Sequence, residues 1–199
     1  MRIGIDFDNT LAGYDHVFAL AARQRGLVPP DFDGDKRAVR SALRALPEGE
    51  RQWMALQGEV YGPRMAEARM IDGADRFLAR CRAEGHEVVI ISHKTEFGHF
   101  DPTATNLRDA ARAWMTAKGF FDPGGFALRP ENVVFEATRA EKIARITARC
   151  CDIFIDDLEE VLLDPAFPAA CRRLHLAGES PHPGLESFSG WAEIHDAVF

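Results

Sequence analysis

The sequence has little that would suit a membrane, secreted or nucleic-acid-coating protein. Its four cysteines show no CxxC spacing, so no disulfide framework is predicted and reduced thiols are expected. No apolar run approaches the ~18 residues of a membrane helix, and Asp6 stands where a signal peptide needs apolar residues. Positive charge is also scarce, because 24 Lys and Arg face 31 Asp and Glu and leave a net charge of -7. We therefore expect a cytoplasmic protein that binds neither membranes nor nucleic acid.

The chain has 199 residues, of which 46% are hydrophobic and 28% charged. These values are typical of a globular protein with one domain, or one domain that carries an insertion. Short apolar strands are predicted over residues 2–7, 86–92, 132–135, 151–155 and 173–176. Helical patterns are predicted over residues 72–84, 103–118, 138–149, 157–163 and 190–198. Because strands and helices alternate, the sequence predicts an α/β fold with a doubly wound parallel sheet covered by helices on both faces.

Residues 13–72 interrupt this alternation. They contain amphipathic helical stretches at 14–25, 35–46 and 50–59, separated by prolines and glycines. We expect two parts: a core of residues 1–12 and 73–199 that contains the sheet, and a small helical insertion of residues 13–72. The stretch 93–100, which follows the second strand, is irregular and polar, and its role is open.

Two helix starts carry clear capping patterns. Asp101 followed by Pro102 predicts an N-cap with proline at the first helical position. Thr138 and Glu141 have the spacing of a capping box, which would place Lys142 in the first turn of its helix.

Polar residues follow three of the predicted strands. They are Asp6, Asp8 and Thr10; Ser92, His93 and Lys94; and Asp156 and Asp157. Ligands of open parallel sheets bind at the carboxyl ends of the strands, so these side chains should meet. Carboxylates gathered there would repel one another without a cation, and oxygen ligands favour Mg²⁺. Asp6 could then attack phosphorus, and Asp8 could serve as acid and base.

The run Asp6-Phe7-Asp8-Asn9-Thr10-Leu11 resembles the DxDxT motif of the haloacid dehalogenase (HAD) superfamily. Ser92, Lys142 and the pair Asp156-Asp157 are similar to its second, third and fourth motifs and occur in the same order. The resemblance implies a Rossmann-like catalytic core in which residues 13–72 form a small helical cap.

The resemblance also implies roles for the matched residues. It makes Asp6 the nucleophile and Asp8 the acid/base, with Ser92 and Lys142 as the other catalytic groups. It implies Mg²⁺ bound by Asp6, the backbone carbonyl of Asp8, and Asp157 or Asp156, with Asp157 favoured as the direct ligand. The residues expected to contact the substrate are Thr10, Ser92, His93, Lys94 and Lys142.

The function implied is an Mg²⁺-dependent phosphomonoester hydrolase that forms an aspartyl-phosphate. Its substrate would be a small phosphorylated metabolite, such as a nucleoside monophosphate or a sugar phosphate. A phosphomutase or phosphotransferase is an alternative, as is a receiver-type phosphoacceptor protein, although a receiver has its acidic pair first in the chain. Lys118 is a rival of Lys142, but its place before Gly119 suits a helix C-terminus. The oligomeric state is open, and a homodimer is compatible with the sequence.

Overall fold

The computed structural model describes all 199 residues. Its strands are β1 (Arg2–Ile5), β2 (Ala12–Gly13), β3 (Arg69–Met70), β4 (Glu87–His93), β5 (Val133–Glu136), β6 (Ile153–Asp156), β7 (Arg172–Leu176) and β8 (Glu186–Phe188). Its α-helices are α1 (Asp15–Gln24), α2 (Lys36–Arg44), α3 (Gly49–Tyr61), α4 (Ala74–Ala83), α5 (Leu107–Ala117), α6 (Arg139–Ala148), α7 (Glu159–Leu162) and α8 (Trp191–Val198). None of these helices has the length and apolar character needed to cross a membrane.

Six strands form one parallel sheet in the order β5-β4-β1-β6-β7-β8. β1 lies inside the sheet, where Ile5 pairs with Ile90 of β4 on one side and with Ile155 of β6 on the other. The chain therefore moves outward from β1 in both directions, which is the doubly wound topology that the sequence predicted. A ligand site is expected at the carboxyl end of β1, since the strand order reverses there.

Helices cover the sheet because their apolar stripes match its apolar strands. Ile143 of α6 and Leu162 of α7 are buried in one cluster with Val89 and Ile91 of β4 and Phe154 of β6. Outside that cluster, α4 and α8 pack against each other, with ring centroids 4.8 Å apart for Phe77 and Trp191. These contacts hold the sheet as one rigid layer, so the ends of its strands are fixed relative to one another.

All five predicted strands are present, with ends displaced by two residues or fewer. The sixth, β8, was not predicted. It has only three residues, Glu186–Phe188, and pairs with β7 at the edge of the sheet. An edge strand that is partly exposed needs no apolar run, so its sequence carries little strand signal.

The chain divides into two compact units. One contains the six-stranded sheet and comprises Met1–Gly13, Met70–Lys94 and Lys118–Phe199, and the other comprises Tyr14–Arg69 and Thr95–Ala117. The expected division differs at residues 95–117, which the sequence analysis assigned to the core. They join the helical unit because the Trp114 indole donates a hydrogen bond of 2.9 Å to the Ala68 carbonyl. Gly98 also packs so closely on Gly58 that a Cβ at residue 98 would lie 2.5 Å from the Gly58 Cα.

An aromatic cluster forms the centre of the helical unit. Phe18 of α1 stacks on Trp53 of α3 with centroids 5.1 Å apart, and Tyr61 meets the Phe18 ring edge-on at 5.6 Å. Tyr14 meets Tyr61 edge-on at 4.9 Å. Aromatic pairs of this geometry bury large areas, so this insertion has a hydrophobic core of its own.

The predicted N-cap at Asp101 is wrong. The carboxylate of Asp101 instead accepts hydrogen bonds from the backbone N–H groups of Thr103 and Thr105, which forms a local turn. The helix begins at Leu107, and the side chain of Asn106 accepts the N–H groups of Arg108 and Asp109, two and three residues further on. Asp and Asn stabilise turns and helix starts equally well, so the sequence did not distinguish the two positions.

The predicted capping box at the start of α6 is confirmed. The Thr138 side chain accepts the Glu141 N–H at 3.2 Å, and the Glu141 carboxylate accepts the Thr138 N–H at 2.9 Å. Two N–H groups that the helix leaves without partners are therefore satisfied. This box fixes the first turn of α6, which contains Lys142.

Replacing Thr138 by alanine is expected to lower the free energy of unfolding by about 1 kcal/mol, because the cap hydrogen bond is lost. Urea denaturation measures the change. Thr147→Ala is the matched control, since Thr147 is exposed near the end of the same helix and its hydroxyl donates a hydrogen bond to the Ile143 carbonyl. A control that loses as much stability as Thr138→Ala would contradict the capping interpretation.

All four cysteines are free thiols, as the sequence predicted. Burial raises the pKa of Cys81 to about 12 and that of Cys151 to about 11. Because the thiolate is the reactive form, these two residues act as apolar packing groups.

Candidate active site

The chain reverses immediately beyond β1, at the point where the sheet topology predicts a ligand site. The N–H of Asp6 donates to the Ile155 carbonyl at 2.9 Å, which continues the ladder between β1 and β6 by one residue. Asn9 then adopts a left-handed conformation with φ 61°, and its N–H donates to the Ala12 carbonyl at 2.8 Å. Asparagine tolerates this conformation better than most residues, so the turn holds Asp6 and Asp8 at the sheet edge.

Lys142 joins two of the predicted acidic residues. Its Nζ lies 2.6 Å from Asp6 Oδ1 and 2.6 Å from Asp156 Oδ2, and the Lys142 side chain is 1% exposed. Burial disfavours the ammonium, but the charges of Asp156 and Asp6 outweigh it and raise the pKa of Lys142 above its usual value. The amine is therefore held protonated between the two carboxylates, away from solvent.

Asp156 is fully buried, and both of its carboxylate oxygens have partners. Oδ2 accepts from Lys142, and Oδ1 accepts the Leu158 N–H at 3.0 Å. Burial raises the pKa of Asp156 above its usual range, the positive charge of Lys142 opposes the rise, and the negative charge of Asp6 adds to it. Lys142 therefore favours the ionised form of Asp156 against the effect of burial.

Three carboxylates are close enough to hold one cation. Oxygen atoms of Asp6, Asp156 and Asp157 lie within 4.8 Å of one another, and Asp157 is the most exposed of the three residues. Negative charge concentrated on oxygen atoms fits a hard divalent ion such as Mg²⁺. The side chain of Asp8 does not belong to this group.

Asp8 is paired with a second buried lysine. Its carboxylate oxygens Oδ1 and Oδ2 lie 3.0 and 2.8 Å from Nζ of Lys94. The Lys94 side chain is 2% exposed and that of Asp8 is 18% exposed. The sequence predicted Lys94 as a substrate contact, and the structure places it beside the predicted acid/base.

The remaining predicted residues differ in their surroundings. Thr10 is fully buried, and its Oγ1 lies 3.4 Å from Asp157 Oδ1. Ser92 is buried near the end of β4, two residues beyond the one that pairs with Ile5 of β1. His93 is exposed, and its Nε2 lies 2.8 Å from the Ala137 carbonyl oxygen, a contact outside the acidic cluster.

His175 is a buried residue of this edge that the sequence analysis did not select. It lies on β7, where it pairs in register with Asp156, and its Nε2 is 3.3 Å from the Asp157 carbonyl oxygen. Its Nδ1 is 3.1 Å from the Ser187 hydroxyl. The sequence did contain a signal for His175 as a site residue. It falls near the end of the fifth predicted strand, next to the strand that carries the acidic pair.

No protein-family model matches the chain, and no curated protein matches it. Several solved structures match it. A HAD-superfamily hydrolase of subfamily IA from Geobacter sulfurreducens has a TM-score of 0.60 and 12% identity, over 100% of this chain and 96% of that one. A predicted phosphatase from Clostridium acetobutylicum has a TM-score of 0.57 and 12% identity, over 99% and 97% of the two chains. A predicted phosphoglycolate phosphatase from Haemophilus somnus has a TM-score of 0.55 and 14% identity, over 99% and 97%.

These likenesses extend over nearly the whole chain, and the six-stranded parallel sheet is part of them. They agree with the resemblance that the ordered motifs Asp6–Thr10, Ser92, Lys142 and Asp156-Asp157 imply. The protein has the fold of the haloacid dehalogenase superfamily hydrolases.

Proposed function

We propose that the protein is an Mg²⁺-dependent phosphomonoester hydrolase that forms an aspartyl-phosphate on Asp6. The observation that carries the proposal is the buried Lys142 ammonium, 2.6 Å from oxygens of both Asp6 and Asp156 at the carboxyl end of the central strand. A carboxylate aligned by a fixed cation is suited to attack an anionic phosphorus group, since the ammonium also offsets the charge that develops on its oxygens.

In the first step, a carboxylate oxygen of Asp6 forms a bond to phosphorus as the bond from phosphorus to the leaving oxygen breaks. Asp8 gives its proton to that leaving oxygen, so an alcohol departs. In the second step, Asp8 takes a proton from water, whose oxygen bonds to phosphorus and releases Asp6 and inorganic phosphate. Ser92, Thr10 and Lys142 hold the phosphoryl oxygens by donating hydrogen bonds.

The carboxylates of Asp6 and Asp157, with the carbonyl of Asp8, would hold Mg²⁺. Both oxygens of Asp156 already accept hydrogen bonds from protein groups, which supports Asp157 as the direct ligand and Asp156 as its support. When bound, the ion supplies positive charge that offsets the negative charge of the phosphoryl group.

The proposed substrates are small phosphomonoesters, and nucleoside monophosphates and sugar phosphates are the leading candidates. The helical unit would be the cap that supplies specificity, and His93 is retained as a proposed substrate contact. Phosphoglycolate joins the set because one structural neighbour is described as a predicted phosphoglycolate phosphatase. A mutase is the second candidate, because transfer from Asp6 to a sugar hydroxyl would use the same residues.

The proposal is tested by phosphate release from a panel of these phosphomonoesters, in Mg²⁺ and in EDTA. We expect release that requires the metal. Folded wild-type protein that releases phosphate from no substrate would contradict the hydrolase. Conversion of one sugar phosphate isomer into another, without release, would instead favour the mutase.

Replacing Asp8 by asparagine is expected to lower kcat/KM for an alkyl phosphate by about 10²- to 10⁴-fold, because the proton donor to the leaving oxygen is lost. The loss should be much smaller with p-nitrophenyl phosphate, whose leaving group departs without a proton. Steady-state kinetics with both substrates measure the difference. Equal losses on both would rule out the acid role of Asp8.

A further inference from the structure

Lys94 has a position that the proposed chemistry does not yet explain. It follows the last residue of β4, and its N–H donates to the Glu136 carbonyl at 2.9 Å, which extends the pairing of β4 with β5. Its side chain turns into the protein and is 2% exposed. Lysine is almost never buried this fully unless it is paired, because removing an ammonium from water is costly.

The partner that offsets this cost is the carboxylate of Asp8. Lys94 Nζ lies 2.8 Å from one carboxylate oxygen and 3.0 Å from the other, so it contacts both ends of the group. A carboxylate held at both oxygens has little freedom to rotate. The backbone of Lys94 is itself fixed in the sheet, so the pair sets where Asp8 presents its oxygens.

The two buried lysines therefore serve different acidic residues. Lys142 contacts Asp6 and Asp156, whereas Lys94 contacts Asp8. This division matches the proposed roles of Asp6 and Asp8. Asp6 bonds to phosphorus, and Asp8 must reach the leaving oxygen and later the water.

We propose that Lys94 is a positioning residue of the reaction, which holds the Asp8 carboxyl group where it can exchange a proton with the leaving oxygen and with water. Either form of Asp8 can accept this hydrogen bond, since one oxygen remains an acceptor when the other carries the proton. The role replaces the substrate contact expected for Lys94, and it rests on the proposed function.

The test compares two substrates in one preparation of the Lys94→Met variant. For the best alkyl phosphate of the panel, kcat/KM is expected to fall by about 10- to 100-fold, a part of what general acid catalysis contributes, with KM changed little. For p-nitrophenyl phosphate the fall should stay below about threefold, because this leaving group needs no proton. The ratio of the two values does not depend on how much of the variant is folded.

A double variant shows whether Lys94 acts through Asp8. In the Asp8→Asn background, Lys94→Met is expected to cause no further loss on the alkyl phosphate, because the group that it positions is already gone. Lys118→Met is the matched control, since it makes the same side-chain change at an exposed helix end. It should leave both substrates unaffected.

Three results would overturn the inference. They are equal losses on both substrates, a raised KM with unchanged kcat, and a Lys94→Met loss that persists in the Asp8→Asn background. The raised KM would restore the predicted substrate contact. Inactive wild-type protein would contradict the hydrolase itself, whereas active wild-type protein with one of these three results would contradict only the role of Lys94.

Discussion

Replacing Asp6 by asparagine is expected to lower phosphate release by at least about 10⁴-fold, because an amide cannot form the acyl-phosphate bond on which both steps depend. The fold should survive the change. Lys142 keeps its 2.6 Å contact with Asp156, so the variant leaves no buried charge without a partner.

Phosphate release from the best substrate of the panel measures the effect, and urea denaturation checks the fold. Acid quenching of wild type during turnover, followed by mass spectrometry, should find the phosphoryl group on the peptide that contains Asp6. Asp152→Asn is a matched control, since Asp152 is exposed and directly precedes β6, at the end of the strand that lies away from the site. An active Asp6→Asn variant would refute the covalent mechanism.

Replacing Lys142 by methionine is expected to lower the free energy of unfolding by about 3–5 kcal/mol and to abolish turnover. The variant removes the only cation that contacts both Asp6 and Asp156, and Asp156 is fully buried. Two carboxylates would then face each other with no opposing charge. Urea denaturation in EDTA measures the loss, and Lys118→Met should stay within about 0.5 kcal/mol of wild type because its side chain is exposed.

The direction of the pH dependence identifies the cause of this loss. Without Lys142, burial would raise the pKa of Asp156 further, so the folded variant would bind a proton more readily than the unfolded chain. Stability that depends on a raised pKa is present at low pH and is lost as the pH rises. Because this pKa is already raised in wild type, the two proteins diverge only at higher pH, and the deficit should be smaller at about pH 7 than at about pH 9. The double variant Lys142→Met/Asp156→Asn should recover part of it, and a deficit independent of both pH and Asp156 would indicate a packing defect instead.

The sequence predicted best those features that depend on residues close together in the chain. The five apolar strands, the Thr138 capping box and the place of Lys142 in the first turn of α6 all followed from local patterns. The meeting of Asp6, Lys142 and Asp156 followed from topology, because parallel strands bring their carboxyl ends to one edge.

Contacts between distant segments could not be predicted where the sheet topology does not impose them. Residues 95–117 carry an ordinary amphipathic helix, and its place in the helical unit depends on contacts such as those of Trp114 with Ala68 and of Gly98 with Gly58. The burial of Lys94 could not be predicted either, because the sequence of a polar loop does not show which of its lysines will be buried in an ion pair with a carboxylate. The sequence could name both members of the pair, but not the pairing.

The central position of β1 has a consequence for how the molecule assembles. β1 acquires both of its sheet neighbours from far along the chain, since Arg2 pairs with Glu87 and Ile3 with Ile153. Contacts between residues this far apart require large loops to close first, and proteins rich in them fold slowly. Asp6 meets Lys142 across 136 residues, so the two charges come together only after this long loop has closed. Recovery of activity during refolding should therefore coincide with the slowest phase of sheet formation.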